Sequence, residues 1–125
     1  AMPLPHLLLK TFVMPEDLNP LGTAFGGHIM GELDKAGASL ARRTAKLPIM
    51  LVGVTDLCFK APFLPADELI VYGDVARVGN TSITIRLEAH AVNPLTQRDM
   101  VAATALYTYV AIDLKTHQPQ PIAKA

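Results

Sequence analysis

The sequence predicts an α+β fold in which one antiparallel, five-stranded sheet wraps around a single long helix. Only residues 28–46 repeat their apolar side chains at steps of three and four, which is the period of a helix. The segments after them are strand-like and joined by short links, and short links favour antiparallel neighbours because parallel pairing needs a longer crossover. One helix covers one face of one sheet, so the remaining apolar surface indicates a second copy of the chain.

The elements at the start of the chain follow from local composition. Residues 7–13 are apolar and lack proline, which predicts the first strand. Residues 14–24 contain two prolines, an asparagine and a glycine, so they predict a loop. The helix over residues 28–46 comes next, and Pro48 fixes its end because the residue before a proline avoids helical dihedral angles.

Four further strands are predicted at residues 49–59, 68–78, 82–92 and 100–112. Prolines separate the second strand from the third, and residues 79–81, Gly-Asn-Thr, suit a tight turn before the fourth. Strict alternation of apolar and polar residues in the fourth strand predicts one buried and one exposed face. The tail that begins at Asp113 contains prolines and is expected to be extended or loosely held.

Composition excludes several classes of protein. A chain of 125 residues fits one domain, spanning residues 1–125. Eleven basic and eleven acidic residues leave no electrostatic footprint for nucleic acid. The single cysteine, Cys58, cannot form an internal disulfide, and no apolar run approaches the roughly 18 residues of a membrane span. The first residues lack the charged start of a signal peptide. We therefore expect a cytoplasmic protein with no nucleic-acid or membrane partner.

One acidic residue stands out on the predicted helix. At about 100° per residue, Asp34 falls outside the polar arc and on a flank of small residues that would let another backbone approach: Gly31, Ala38, Ala41 and Ala45. An unpaired buried charge is costly. The carboxylate therefore pairs with a strand or loop donor, faces water, or has a catalytic role.

Two glycines precede the predicted helix. Gly26 and Gly27 could form a turn with unusual dihedral angles. Alternatively, they let a ligand approach the free amides at the helix start, which bind negative charge or polarise a carbonyl. The surrounding residues do not form a dinucleotide-binding or Walker fingerprint.

Several motifs together cover nearly the whole chain. They are Met14-Pro15-Glu16-Asp17, Asn19, the run from Gly22 to Met30, the run from Leu33 to Ala38, residues 59–62, residues 79–82, Tyr107 and Tyr109. In these motifs the chain resembles the hotdog-fold acyl-CoA thioesterases, and most closely the short bacterial YciA type. The resemblance implies a hotdog fold, in which the helix lies inside the curved sheet and pairs of subunits join their sheets edge to edge. It also implies hydrolysis of acyl-CoA thioesters to free fatty acid and coenzyme A.

The resemblance implies catalytic roles for three residues. Asp34 matches the essential acid of the family, and Gly27 lines the site of the reacting carbonyl. Thr23 lies where the family commonly has Asn or Asp, near the carbonyl or the attacking water. Thr keeps a hydroxyl but lacks the reach of an amide or carboxylate, which affects its role in positioning water. Asn19 matches a polar family position close to this loop.

The substrate-binding residues implied by the resemblance also include Phe25, Gly26, His28, Lys60, Gly79, Asn80, Thr81 and Ser82. Lys60 is a candidate partner for the phosphates of coenzyme A, although an ordinary surface charge is the favoured interpretation. Residues 79–82 match the family segment along the pantetheine arm, and a tight turn explains the same residues equally well. Phe25 lines an acyl pocket or belongs to the core.

The chemistry needs a carboxylate and donors for an oxyanion. Asp34 could act as a general base toward water or attack the thioester directly, and the sequence does not distinguish the two. The amides of Gly27 and His28 would supply the oxyanion donors. No metal or cofactor is expected beyond coenzyme A as part of the substrate, since the histidines have no metal-binding spacing. Cys58 could be a nucleophile, but a core cysteine is the favoured interpretation.

Two alternatives to hydrolysis stay open: a non-catalytic acyl-CoA-binding module, and an enoyl-thioester hydratase that uses His28 and Asp34. For all three functions we expect a homodimer, within a trimer of dimers or another higher assembly. Gly27 and Asp34 lie seven residues apart, which is roughly 10 Å along a helix, so one helix cannot easily offer both to one carbonyl. The sequence therefore predicts active sites shared between subunits.

Overall fold

The computed structural model describes residues 4–123, and it has one long helix and five strands. The first and last residues of the predicted 1–125 domain lie outside this range. In chain order the elements are β1 (His6–Phe12), α1 (Gly26–Ala45), β2 (Ile49–Phe59), β3 (Glu68–Val78), β4 (Ser82–Asn93) and β5 (Arg98–Ala111). A single 3-10 turn, Pro15–Asp17, lies between β1 and α1.

All five strands form one sheet in the order β1-β3-β4-β5-β2, and every neighbouring pair is antiparallel. This arrangement confirms the predicted α+β fold. The predicted alternation in β4 holds from Ile83 to Ala89 and fails at His90, which belongs to the polar face by sequence but is buried, because the pairing with β5 shifts register between Ala89 and His90. Strand β2 lies at one edge of the sheet, and its residues Met50 and Val52 are about half exposed.

The helix packs along the inner face of the sheet. Its buried residues recur at helical spacing: Ile29, Leu33, Ala36, Gly37, Leu40, Ala41 and Ala45. The helix ends at Ala45, and the C-cap residue Lys46 adopts a left-handed conformation (φ 57°) and donates its amide to the carbonyl of Arg42 at 2.8 Å. Within the described part of the chain, no helix combines the length and apolar character needed to cross a membrane.

Several details differ from the sequence-based expectations, and most element bounds shift by one or two residues. The helix begins at Gly26 rather than His28, and β5 begins at Arg98 rather than residue 100. The tail is not loosely held, because Ile122 is buried and its amide donates to Asn80 O at 2.8 Å. Cys58 is exposed on β2, so its assignment to the core was wrong. Cys58 lies on an edge strand, and burial there depends on tertiary structure that local sequence does not contain.

Candidate active site

The start of α1 presents backbone donors that have no acceptor. Phe25 is the N-cap residue, and its side chain makes no capping hydrogen bond. The first intrahelical bond is donated by the amide of Ile29 to the carbonyl of Phe25. The amides of Gly26, Gly27 and His28 therefore have no partner among residues 4–123. Such amides, with the positive end of the helix dipole, favour an oxyanion or another negative group.

The glycine pair belongs to the helix and not to a turn. Neither Gly26 nor Gly27 has a positive φ angle, so neither needs to be glycine for backbone reasons. A Cβ atom on Gly26 would meet the ring of Phe59 at 3.5 Å, an ordinary contact, and one on Gly27 would meet nothing within 4 Å. Both glycines are exposed. Of the two sequence interpretations, the turn with unusual dihedral angles is wrong, and open access to the amides fits.

A cavity of about 360 Å³ adjoins the helix start. It is lined by Ala24, Gly26, Ile29, Phe59, Lys60, Ala61, Pro62 and Phe63. Its lining is mainly apolar, with the exposed Lys60 as its charged residue. The structure thus brings Gly26 and Lys60 together, as expected for residues of one site. Phe25 directly precedes Gly26 of the cavity lining in the chain. It is half exposed, so it is not a core residue.

The loop before the helix is organised by Asn19. Its side-chain oxygen accepts hydrogen bonds from the amides of Leu21 (2.9 Å) and Thr23 (3.2 Å). Its side-chain amide donates to Thr23 Oγ1 at 3.0 Å. Asn19 therefore shapes the loop, and its direct contact with substrate stays a prediction. Thr23 accepts this bond and keeps its own hydroxyl hydrogen available.

A second contact fixes the same loop to the helix. His28 Nε2 lies 3.3 Å from Asp17 Oδ2, and that oxygen also accepts the amide of Met14 at 2.9 Å. The amide of Phe25 donates to the carbonyl of Asp17 at 3.0 Å. The His28 side chain is thus engaged with the loop and not with Asp34. Sequence spacing gave no sign of the pair, because the two residues belong to different elements.

Asp34 lies two turns further along α1 and contacts the sheet. Its Oδ1 and its main-chain oxygen each lie 3.0 Å from the hydroxyl of Tyr109 on β5, which donates to them. The carboxylate is half-buried and takes part in no ion pair within the described residues. Of the alternatives that the sequence left open for Asp34, the structure shows a neutral donor on a strand. Its second oxygen, Oδ2, accepts no hydrogen bond from residues 4–123.

Residues 79–82 lie at the opposite end of the sheet from the cavity. In the turn, Gly79 donates its amide to Ser82 O at 2.8 Å. Ser82 pairs with Val110 on β5, whereas Phe59 beside the cavity pairs with Ala103. Val110 lies seven residues beyond Ala103, which is roughly 23 Å along a strand. A single subunit therefore does not bring the predicted pantetheine segment, Gly79, Asn80, Thr81 and Ser82, to its own cavity.

No cluster of three or more His, Cys, Asp or Glu side chains that could hold a metal ion occurs among the residues described. The donors near the helix start are the backbone amides of Gly26, Gly27 and His28 and the side chain of Lys60. Groups of these types suit the oxygen of a polarised carbonyl or a phosphate.

Comparison with known proteins agrees with this architecture. Residues 21–98 match the model of the thioesterase superfamily, so the chain belongs to that family. The single helix inside a five-stranded antiparallel sheet is its hotdog fold, and the chain is a thioester hydrolase of this fold.

Individual relatives are similar over most of their length. The acyl-CoA thioester hydrolase YciA of Escherichia coli is 35% identical over 116 residues, which cover 90% of this chain and 87% of the relative. A hexameric thioesterase from Yersinia pestis superposes with a TM-score of 0.92 at 31% identity, covering 99% of this chain and 100% of the other. A hexameric hotdog-fold thioesterase of Campylobacter jejuni gives a TM-score of 0.85 at 33% identity, covering 94% and 90%.

Proposed function

We propose that the chain is an acyl-CoA thioesterase that releases free fatty acid and coenzyme A. The observation that carries this proposal is the uncapped helix start, where the amides of Gly26, Gly27 and His28 lack acceptors beside an apolar cavity. Donors without partners at an exposed site suit the oxyanion of a tetrahedral intermediate. The names of the YciA relatives support acyl-CoA as the substrate class.

In the proposed mechanism Asp34 supplies the carboxylate. It either removes a proton from water as that water attacks the thioester carbonyl, or attacks the carbonyl itself to form an anhydride that water then opens. In both routes the carbonyl oxygen gains negative charge at the amides of Gly27 and His28, and the coenzyme A thiolate leaves. Thr23 is proposed to hold the water. Turnover of Thr23→Val, which keeps the shape and removes the hydroxyl, tests that role.

We further propose that two chains build each site, and the sheet register supports it. Tyr109, which holds Asp34, pairs with Leu51 of the edge strand β2. The ring of Phe59, at the other end of β2, lies beside Gly26. If β2 pairs antiparallel with its copy about its middle residue, Val54, then Leu51 of one chain lies opposite Leu57 of the other. The partner's Asp34 then lies level with this chain's helix start.

The same pairing places the pantetheine segment. Residues 79–82 lie at one end of the sheet, and the cavity lies at the other. When two β2 strands pair antiparallel, these two ends of neighbouring subunits come together. Residues 79–82 of the partner would then lie beside this chain's cavity. The flank of α1 toward the neighbour would be open, because a Cβ atom on Gly27 or Gly31 meets nothing within 4 Å. Exposed hydrophobic residues on β2, Met50 and Val52, would be covered. The hexameric similar structures support three such dimers per assembly.

Mixed dimers test the shared site. Chains carrying Asp34→Ala are refolded together with chains carrying Gly27→Val, which blocks access to the amides. Each mixed dimer then contains one intact site and one site with both defects. Turnover should therefore rise above that of assemblies made from either variant alone. Mass spectrometry under native conditions verifies that mixed assemblies form. Verified mixed assemblies without activity would show that each site uses one chain only.

Release of free thiol from acyl-CoA tests the reaction itself. The purified chain should release thiol from several acyl-CoA esters in proportion to enzyme concentration, as followed with a thiol reagent. Binding of acyl-CoA without thiol release would indicate a binding module, and loss of enoyl absorbance without thiol release would indicate a hydratase. Either result would overturn the proposed function.

The proposed chemistry uses a carboxylate, water and backbone donors, and it requires neither a metal nor a cofactor. We also propose a cytoplasmic location, which suits the exposed thiol of Cys58 because reducing compartments keep cysteines free. Separation of cells into cytosolic and envelope fractions, with the chain detected by antibody in each, tests this location.

A further inference from the structure

We propose that Tyr109 is a positioning residue that fixes the side chain of Asp34 for catalysis. This inference rests on the proposed function, because it assumes that Asp34 carries the reaction. Nothing in the sequence places the two residues together, since they are 75 residues apart in the chain.

The contact between them has the geometry of an anchor. The Tyr109 hydroxyl lies 3.0 Å from the main-chain oxygen of Asp34 and 3.0 Å from its Oδ1. A hydroxyl has one hydrogen, which the two oxygens share. Because Oδ1 and the main-chain oxygen of Asp34 contact the same hydroxyl, the side chain cannot rotate freely about its two single bonds. Oδ2 is left as the oxygen without a partner within residues 4–123, and it is therefore the one free to act on water or substrate.

The helix has a glycine, Gly37, where the Tyr109 hydroxyl packs against it. A Cβ atom on Gly37 would lie 2.6 Å from Tyr109 Oη, closer than real atoms approach, and 3.2 Å from Leu87 Cδ1. Gly37 is buried in the middle of α1, where glycine is unfavourable relative to alanine. Its φ angle is not positive, so backbone geometry does not require it. The absent side chain makes room for the hydroxyl beside Asp34.

The hydroxyl stays a donor over the working range of pH. Burial raises the pKa of Tyr109 far above its ordinary value, and the hydrogen bond and charge of Asp34 add to this effect. Tyr109 therefore keeps its proton, and the carboxylate of Asp34 keeps its anchor, wherever the enzyme is folded and active.

A neighbouring tyrosine offers a matched control. Tyr107 lies two residues earlier on β5, is equally buried, and also donates its hydroxyl to a helix carbonyl, that of Met30 at 2.8 Å. Its hydroxyl makes no hydrogen bond to the carboxylate of Asp34. Tyr107→Phe and Tyr109→Phe therefore remove the same group from the same interface, and they differ in whether Asp34 loses its anchor.

The experiment compares kcat, KM and thermal stability for the two variants on one acyl-CoA. Both should fold and lose similar stability, since each loses one buried hydroxyl. Tyr109→Phe should lower kcat by about 10- to 100-fold with KM nearly unchanged, because misplacement of a catalytic group affects the chemical step. Tyr107→Phe should keep a kcat near that of the parent. Equal kcat values for the two variants would overturn the proposal.

A double-mutant cycle separates positioning from general damage to the fold. In an Asp34→Asn background, Tyr109→Phe should cause no further loss of turnover, whereas a structural defect would add its full effect. If Asp34→Asn itself retains turnover, the proposed mechanism fails. If Asp34→Asn is inactive and Tyr109→Phe behaves like Tyr107→Phe, only the positioning role fails.

A second variant keeps the test valid if Tyr109→Phe does not fold. Removal of the hydroxyl relieves the shortest contact of a methyl group at position 37, and Leu87 Cδ1 at 3.2 Å and the ring carbon Cε2 at 3.3 Å then need to shift by only a few tenths of an ångström. Gly37→Ala should therefore be tolerated better in Tyr109→Phe than in the parent, and its higher helix propensity should support the fold. This double variant should be folded and still deficient in kcat. Full turnover in the folded double variant would contradict the proposal.

Discussion

The two parts of α1 that the proposed reaction uses are built in opposite ways. At its start the helix has no side-chain cap, two exposed glycines and amides without acceptors. Two turns later, Asp34 rests on the hydroxyl of Tyr109, and Gly37 has no side chain where that hydroxyl fits. The first region is left open, and the second is packed and hydrogen-bonded.

The difference corresponds to the two tasks of hydrolysis. Donors for an oxyanion must stay free until the substrate arrives, and the stability lost by an uncapped helix is about 1 kcal/mol. A carboxylate that acts on water or on a carbonyl must instead point in one direction before the substrate binds. The contrast therefore predicts that changes at the helix start and at Asp34 will have different effects on stability and on turnover.

The largest effect is expected from Asp34→Asn. The substitution keeps the shape of the side chain and removes its basicity, so turnover should fall by at least about 10²-fold. Glu32→Gln is the control, since Glu32 is an acid on the same helix that forms an ion pair with the exposed Lys35. It should keep normal turnover. Normal turnover in a folded Asp34→Asn protein would refute the catalytic role.

A smaller effect on turnover, with the opposite effect on stability, is expected from Gly27→Ala. Alanine is the better helix former, so the free energy of unfolding should rise by up to about 1 kcal/mol. The added methyl group stands in the open space in front of the amides, and turnover should fall by about tenfold. Melting temperature and kcat are measured together. A Gly27→Ala protein with increased stability and unchanged kcat would show that the open space serves no substrate.

The smallest effect concerns stability at alkaline pH. Burial, and then the charge of Asp34, raise the pKa of Tyr107 to about 12. Burial and the hydrogen bond with Asp34 raise the pKa of Tyr109 further. Because their pKa values are higher in the folded chain than the ordinary value near 10, both phenols stabilise the fold fully below pH 10. This stabilisation is lost as the pH rises, for Tyr107 between about pH 10 and 12.

Melting temperatures between pH 8 and 11 check this expectation. They should fall more steeply in the parent than in Tyr107→Phe or Tyr109→Phe, which have one such phenol fewer. Equal slopes in all three proteins would show that the buried phenols do not control the alkaline loss of stability.

Much of the fold could be predicted because prolines and glycines in the sequence mark where its strands begin and end. The bounds of β2 and β3 match the prediction, since prolines and a glycine-containing turn surround them. The predicted helix began two residues late because glycine has low helix propensity. The glycines at the helix start are explained by the free amides that they leave accessible. The packed tail could not be foreseen, as the burial of Ile122 depends on the distant turn at Asn80.

The candidate site was predictable only in part. Asp34 was identified from its position on a helical projection, and Gly27 from the resemblance to a family. The contacts of Asp34 with Tyr109 and of His28 with Asp17 join separate elements, so helical spacing could not reveal them. The distance between residues 79–82 and the cavity depends on sheet order, which the sequence left open.

The C-terminal segment has a practical consequence for handling the protein. The amide of Gln120 donates to Ala111 O, and that of Ile122 to Asn80 O, both at 2.8 Å, so the segment ties β5 to the turn that precedes β4. Ile122 is also part of the main apolar core. A purification tag that replaces residues from 120 onward would therefore release this turn, whereas the N-terminal strand β1 runs along the opposite edge of the sheet from β2.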